Sequence, residues 1–336
     1  MEKPVRQVSD LSLKFGTFNT RFLPWSLTGR SRAEELSRRV LDGAYDVIGL
    51  SEVFDNRVRR RLVANLASQL PHYISYLGGP SRFRANSGLM LFSRHPFAQI
   101  PYPLRVSGTV VASNDGGRNP WCEVAFAPFR HSRSTDRMAG KGVALARIVA
   151  NGSPINVGVL HMQASYASDS RREAERKVKT RVRQLHQVRD VIRQALGEDK
   201  ARDEEVVILG DFNIDGSRSR HEDAKHEWHN IFRVLKPGFS GAPLHDLWHD
   251  FGPADEPGHT YPVSALASRM DYVLWSPRIS ESSLRVEKVE VASNLVTATG
   301  AHLSDHLGVN AYFEAATARE GSPKEKRSIS GFSVRP

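Results

Sequence analysis

Five polar groupings stand out by residue type and placement: Asn19, Glu52, His161, Asp211 with Asn213, and Asp305 with His306. Each falls at the end of a stretch patterned like a β-strand, so residues far apart in the chain can converge at one edge of a sheet. Carboxylates and carboxamides gathered in this way supply the oxygen ligands of a hard divalent cation. Mg²⁺ is the natural occupant, because it keeps several waters, needs only one or two carboxylates and accepts a phosphate oxygen. A single cysteine, Cys122, excludes both an intrachain disulfide and a cysteine-rich zinc site. The chemistry indicated is attack on a phosphate ester.

The string Val206-Val-Ile-Leu-Gly-Asp-Phe-Asn213 reads as a buried strand that delivers Asp211 and Asn213 on the same side of an extended chain. One side chain can orient a water while the other donates to a phosphate oxygen, the two tasks of an in-line displacement. An Asx turn capping the strand is the plainer alternative. Leu303-Ser-Asp-His306 sets a carboxylate beside an imidazole, the usual proton acceptor for an attacking water. Such a pair alone is more often surface decoration; Asp271, in Arg-Met-Asp-Tyr272, can turn it into a base by fixing the ring's tautomer. His161 ends the apolar run Val157-Gly-Val-Leu160 and fits a satisfied core histidine, but its exit into Gln163 and Ser165 favours a cleft.

The elements that must position these residues follow from hydrophobic spacing. Leu11, Leu13 and Phe15 alternate up to Phe18 as a half-buried strand that ends at Asn19. Ser31 heads a stretch with Glu34, Glu35, Leu36 and Val40 that reads as a helix with an N-cap and an acidic first turn. Val58, Leu62, Leu66 and Leu70 give a helical face over 56–70, stopped by Pro71. Short strand-like runs follow at 46–50, 88–93, 142–149, 156–161, 206–209, 271–275 and 308–313. Between them the recurrence of Val178, Val182, Leu185, Val188, Ile192 and Leu196 predicts one long helix over 171–196. The expected fold is α/β (α+β): a four-layer α/β/β/α sandwich of two mainly antiparallel sheets with helices outside. Residues 1–10 read as an extension, 11–314 as one catalytic domain and 315–336 as a mobile tail without periodicity.

The 336 residues carry 47 Lys and Arg against 37 Asp and Glu, a formal charge of +10, with 40% hydrophobic and 25% charged residues. That balance excludes a disordered chain and a multispanning membrane protein. It favours anionic partners: nucleic acid, phosphate esters or an acidic membrane surface. The opening MEKPVRQVSD lacks an apolar leader, which points to the cytoplasm. Two stretches concentrate positive charge: Arg57 to Arg61, and Arg171 to Arg183, which holds seven Lys or Arg against Glu173 and Glu175. Solvated helix faces account for most such runs; steering of nucleic acid or an anionic leaflet is the other reading.

In chain order FNT, SEVFDN, SGLMLFSRHPF, GKGVAL, GVLHMQAS, VILGDFN, RMDYVL and LSDH resemble the Mg²⁺-dependent endonuclease/exonuclease/phosphatase superfamily over roughly residues 11–314. Within it, Glu52-Val-Phe-Asp-Asn56, the Asp136 and Lys141 pair five residues apart, and His161-Met-Gln-Ala164 are similar to the neutral sphingomyelinases, especially the bacterial ones. The resemblance implies that Glu52 is the principal Mg²⁺ ligand, with Mn²⁺ or Co²⁺ as substitutes, and that Asn19 lies beside metal and phosphate. Asp211 and Asp305 complete the implied metal set. Asp211 would also orient the water, Asn213 and His161 would hold phosphoryl oxygens, and His306 would be the general base, oriented by Asp305 or Asp271. Lys141, paired with Asp136, would help position the scissile phosphate.

The substrate implied is a phospholipid at a membrane surface, cleaved to ceramide and phosphocholine by a monomer needing no protein partner. DNA or RNA cleavage on the same fold is the alternative. Secretion, as in the bacterial relatives, stands against the cytoplasmic expectation. Ser51 departs from the Gln or Asn usual before the glutamate, and no long aromatic hairpin is present: 252–268 holds only Tyr261 as an aromatic. Trp25, Trp121, Phe126 and Phe129 are candidate substitutes for membrane contact, although core positions suit each of them better.

Overall fold

The computed structural model describes residues 12–24, 28–78, 86–101, 109–112, 124–197, 203–217, 222–239, 241–280 and 282–315. Trp25, Trp121, the first ten residues and the tail after 315 lie outside them. In chain order the strands are β1 (Ser12–Phe22), β2 (Val47–Val53), β3 (His72–Gly78), β4 (Met90–Ser93), β5 (Phe97–Ala98), β6 (Thr109–Ala112) and β7 (Val124–Pro128). Then come β8 (Gly142–Ala150), β9 (Ser153–His161), β10 (Glu205–Asp211), β11 (His245–Asp246), β12 (Asp271–Ser276), β13 (Leu284–Ala292) and β14 (Gly308–Ala315). The helices are α1 (Gly29–Asp42), α2 (Asn56–Leu66), α3 (Arg171–Leu196), α4 (Glu222–Leu235) and α5 (Leu247–Phe251).

Two seven-stranded sheets form, one ordered β13-β14-β1-β2-β4-β3-β6, the other β11-β12-β10-β9-β8-β5 with β7 also paired to β8. Three apolar clusters define the layering. Leu13, Phe15, Val47 and Leu91 of the first sheet meet Ala146, Val157, Val207, Leu209 and Val273 of the second in a common interior. Phe18, Ile48, Leu50 and Phe92 point the other way, under Leu36 and Val40 of α1 and Leu62 and Leu66 of α2. Leu145, Leu160, Ile208 and Leu274 leave the second sheet on its far side, under Leu185, Val188 and Ile192 of α3 and Ile231 and Leu235 of α4. The result is the four-layer α/β/β/α sandwich. Central strands buried on both faces read as continuous apolar runs, as 206–209 does.

Both sheets are mixed. β1 and β2 run parallel, as do β9 and β10, while the other pairs are antiparallel. Each parallel pair is joined through a helix, α1 in one case and α3 in the other, because parallel neighbours need a crossover that a hairpin cannot supply. α3 spans the residues that its periodicity predicts, with Ser170 accepting the Glu173 N–H as its N-cap. α1 differs: it starts at Gly29, and Ser31 lies inside its first turn, its hydroxyl donating to the Thr28 carbonyl.

The basic stretches are only partly solvated faces. Arg59 is 3% exposed and donates to the carbonyls of Val53 (2.5 Å), Leu89 (3.2 Å) and Ser75, and to Asn86 Oδ1 (2.7 Å). In α3, buried Lys177 pairs with Asp169 and buried Arg181 with Glu227. These three staple the helices to the sandwich, and residues such as Arg60, Arg172 and Lys179 face solvent. Phe126 and Phe129 are core residues.

Candidate active site

Strand register gathers the polar residues. Asp211 pairs with His161 of β9 on one side and with Asp271 of β12 on the other, so a histidine and two aspartates form one row across the end of the second sheet. In the first sheet Asn19 pairs with Ser51, which places Glu52 one residue beyond it, and His306 sits two residues before β14 begins. The two rows face each other across the interior, where Asn19 Nδ2 donates to Asp211 Oδ2 at 2.9 Å and to Glu52 Oε1 at 3.2 Å.

Local backbone shape holds these positions. Gly210 has φ +153°, and a Cβ there would lie 2.1 Å from the Leu160 carbonyl oxygen, so only glycine lets β10 press against β9 just before Asp211. Glu52 (φ +59°) and Asn213 (φ +52°) occupy the left-handed region, where a non-glycine residue costs on the order of 1 kcal/mol and is retained where function needs it. Asp211 Oδ1 accepts the Asn213 N–H at 2.8 Å, so the Asx turn does form, while Oδ2 is turned into the site.

His306 Nδ1 lies 2.8 Å from Asp271 Oδ2, which fixes the ring and leaves Nε2 3.9 Å from Asp211 Oδ2. Burial works against a charged His306, but the Asp271 carboxylate, with Asp211 and Asp305, outweighs it and lifts the imidazole to about 10. Asp211 is pushed up by burial and by Asp271, against the pull of His306, the Asn19 amide and Lys141. His161 goes the other way. Burial, helped by the positive charge of Lys141 and His306, holds it well below the ordinary imidazole range, and therefore neutral.

A divalent cation fits this set. His161 keeps both ring nitrogens buried without a hydrogen-bond partner, with Nε2 3.7 Å from Glu52 Oε1 and 3.6 Å from Asp211 Oδ2. Carboxylate oxygens grouped around a neutral imidazole suit a hard cation. Ligand atoms of Asp211, Asp271 and His306 also lie within 4.8 Å of one another, but Asp271 and His306 are already bonded to each other. Glu52 and Asp211 are the residues that would hold the ion. Asn19 Oδ1 instead accepts the Arg21 backbone N–H at 3.2 Å.

The structure thus brings Asn19, Glu52, His161, Asp211, Asp271 and His306 together. Asp305 stands at the rim, 3.1 Å from Arg21 with its side chain 27% exposed, and Asp271 takes the orienting contact to His306. Lys141 lies one layer behind, its Nζ shared between Asp136 Oδ2 (3.0 Å) and the Met162 carbonyl (3.1 Å). The same carbonyl accepts Asn213 Nδ2 at 3.2 Å.

Several participants had no signal of their own in the sequence. Tyr261 stacks its ring 4.6 Å from that of His306. Thr260 accepts the Met270 and Asp271 N–H groups at its hydroxyl and the Leu307 N–H at its carbonyl, tying the Asp271 and His306 segments together. Asn86 donates to Asn56 and to the Phe54 carbonyl, fixing the turn beyond Glu52. The Tyr261-Pro262 pair, a turn signal between two candidate segments, could have drawn attention to the first of these.

Comparison with known proteins agrees with this geometry. A model of the Endonuclease/Exonuclease/phosphatase family matches residues 16–306. The chain is 26% identical over 325 residues to a putative neutral sphingomyelinase of Caenorhabditis elegans, covering 91% of this chain and 67% of that one. It is 25% identical over 244 residues to sphingomyelinase C of Bacillus cereus, covering 73% and 68%. Among solved structures, beta toxin from Staphylococcus aureus with bound magnesium ions superposes with a TM-score of 0.59 at 18% identity, over 90% of this chain and 99% of that one. TDP2 from D. rerio, complexed with a single-strand DNA product, gives 0.59 at 16% identity, over 90% and 99%. The solved structures share the fold, and the family match spans both rows of the site: the chain belongs to the endonuclease/exonuclease/phosphatase family.

Proposed function

We propose that this phosphoric diester hydrolase cleaves sphingomyelin to ceramide and phosphocholine, with Mg²⁺ as its cofactor. The observation that carries the reading is the row His161, Asp211, Asp271 facing Asn19, Glu52 and His306, together with sphingomyelinases as relatives. A divalent cation held by Glu52 and Asp211 would neutralise charge on the phosphate and on the departing oxygen. The protein's own groups do the rest. Asp271 holds His306 in one orientation; with a cation on Glu52 and Asp211 opposing the raised proton affinity of the ring, neutral His306 takes a proton from the water at Nε2 while Asp211 Oδ2, 3.9 Å away, aligns it. The water oxygen bonds to phosphorus as the bond from phosphorus to the ceramide oxygen breaks. Neutral His161 and Asn213 donate to the phosphoryl oxygens. Lys141 and Asp136 keep the Met162 carbonyl, and hence Asn213, in place.

The substrate would be met at a membrane surface. Leu23 (44% exposed), Met138 (61%), Tyr166 (46%) and Leu266 (40%) lie a few residues in sequence from Arg21, Lys141, Met162 and Tyr261 respectively. Leu23 lies beside Asp305 in one groove, and the Tyr166 hydroxyl is 3.2 Å from Thr135 Oγ1. These side chains are the apolar groups near the site that are available to enter a lipid interface. Monomeric action without a protein partner completes the reading.

A nuclease is the second reading, favoured by the +10 charge and by the TDP2 likeness. One paired assay separates them: phosphocholine release from sphingomyelin vesicles beside plasmid cleavage in the same Mg²⁺ buffer. Lipid turnover abolished by EDTA supports the first; plasmid cleavage without lipid turnover replaces it with the second.

A further inference from the structure

Behind Lys141, on the side away from the carboxylate row, a cavity of about 450 Å³ opens between the 128–141 segment and the first half of α3. Its charged lining consists of Arg133, Arg137, Lys141 and Arg183, with His131 and the single carboxylate Glu173. The charges are not internally balanced. Lys141 is paired with Asp136 beneath the floor, and Glu173 is 3.7 Å from Arg176. Arg133 gives its Nε to Thr180 at 3.3 Å. Among the described residues the side chains of Arg137 and Arg183 have no ion-pair or hydrogen-bond partner, and both residues are exposed.

Three guanidinium groups around one concavity raise the local positive potential, which favours an anion there, and arginine's planar fork matches phosphate oxygens two at a time. The volume lies in the range of small-molecule pockets. A choline-type cation is the wrong partner here, so the cavity is no extension of a choline subsite.

We propose that this cavity is a second ligand site, separate from the metal centre, that takes a phosphate-bearing polyanion through Arg133, Arg137 and Arg183. Lys141 is kept from the ligand: its side chain is 3% exposed and bonded to Asp136 and to the Met162 carbonyl. The ligand is either a free phosphorylated metabolite or the headgroup of a polyanionic lipid; the chemistry of recognition is the same.

The test uses the full chain in EDTA, so that the metal centre takes no part. Inositol trisphosphate is titrated calorimetrically, and phosphatidylcholine vesicles with and without a phosphoinositide are tested for co-sedimentation. Wild type, Arg137→Ala/Arg183→Ala and Arg137→Lys/Arg183→Lys are compared. Saturable binding at one site, weakened at least about tenfold in the alanine pair and largely kept in the lysine pair, is expected. Saturable binding of the soluble ligand identifies a free metabolite as sufficient; binding seen with phosphoinositide vesicles alone identifies a lipid headgroup. Equal binding by wild type and the alanine pair in both formats, with unchanged circular dichroism, overturns the proposal.

Discussion

His306 and Asp271 are joined at 2.8 Å between Nδ1 and Oδ2, although 35 residues separate them in the chain. This contact leaves Nε2 as the only ring nitrogen free to receive a proton, and it points that nitrogen toward Asp211. His306→Ala should lower turnover by at least about 10²-fold. Asp271→Asn should leave the ring in place but remove its tautomer control, costing at least about tenfold in kcat with little change in KM. A KM effect alone for either variant would assign the pair to substrate binding.

Glu52 and Asp211 converge with Asn19 between them. Glu52→Gln keeps the shape and removes the charge, and should weaken divalent-cation binding at least about tenfold by calorimetry while lowering activity about 10²-fold or more. Unchanged metal affinity would remove Glu52 from that role.

The site's legibility was uneven. Strand-end placement of Asn19, His161, Asp211 and Asp271 was readable because a buried β-strand announces itself by an unbroken apolar run, and the polar residue that ends it must lie at a sheet edge. Asp271 as the carboxylate that fixes the His306 ring was readable, but the choice between it and Asp305 stayed open, and the register of β12 against β10 settles it. The Asp136 and Lys141 pair was legible and forms at 3.0 Å. Arg59 was hidden in a basic run, because a cation in sequence says nothing about whether carbonyl oxygens wait for it inside, as those of Val53 and Leu89 do. The helix start at Gly29 was missed because Ser31 is a good N-cap residue by type, but here its hydroxyl bonds backward to the Thr28 carbonyl.

Lys141→Ala removes a buried ammonium and leaves the buried Asp136 carboxylate with the Ala164 N–H but without its counter-charge. Hydrolysis of vesicle substrate should fall about tenfold or more, whereas Lys141→Arg should restore part of it. Full activity in the alanine variant would show that the Met162 carbonyl needs no such support.

Stability of the metal-free protein should depend on pH in a definite sense. His306 binds its proton up to about 10 in the fold against an ordinary 6.5, so its contribution is complete below about 6.5 and is lost as pH rises through about 10. Asp211, raised from 3.8, acts in the same direction: above 3.8 the unfolded chain gives up a proton that the fold retains, and stability falls. His161, held well below 6.5, acts the other way up to about 6.5, so the melting temperature in EDTA should decline between about pH 7 and 9, and Mg²⁺ should stabilise most at the alkaline end, where Asp211 is ionised to hold it. A flat profile, or one rising with pH, would contradict the electrostatics of the row.

The account rests on water attacking phosphorus of sphingomyelin at the Glu52, Asp211 and His306 site. Hydrolysis of sphingomyelin vesicles with Mg²⁺ in ¹⁸O-labelled water, followed by mass spectrometry of both products, tests it directly. The prediction is one labelled oxygen in phosphocholine, none in ceramide, and no product from Glu52→Gln. Label in ceramide, or no product from the wild-type protein, would contradict it.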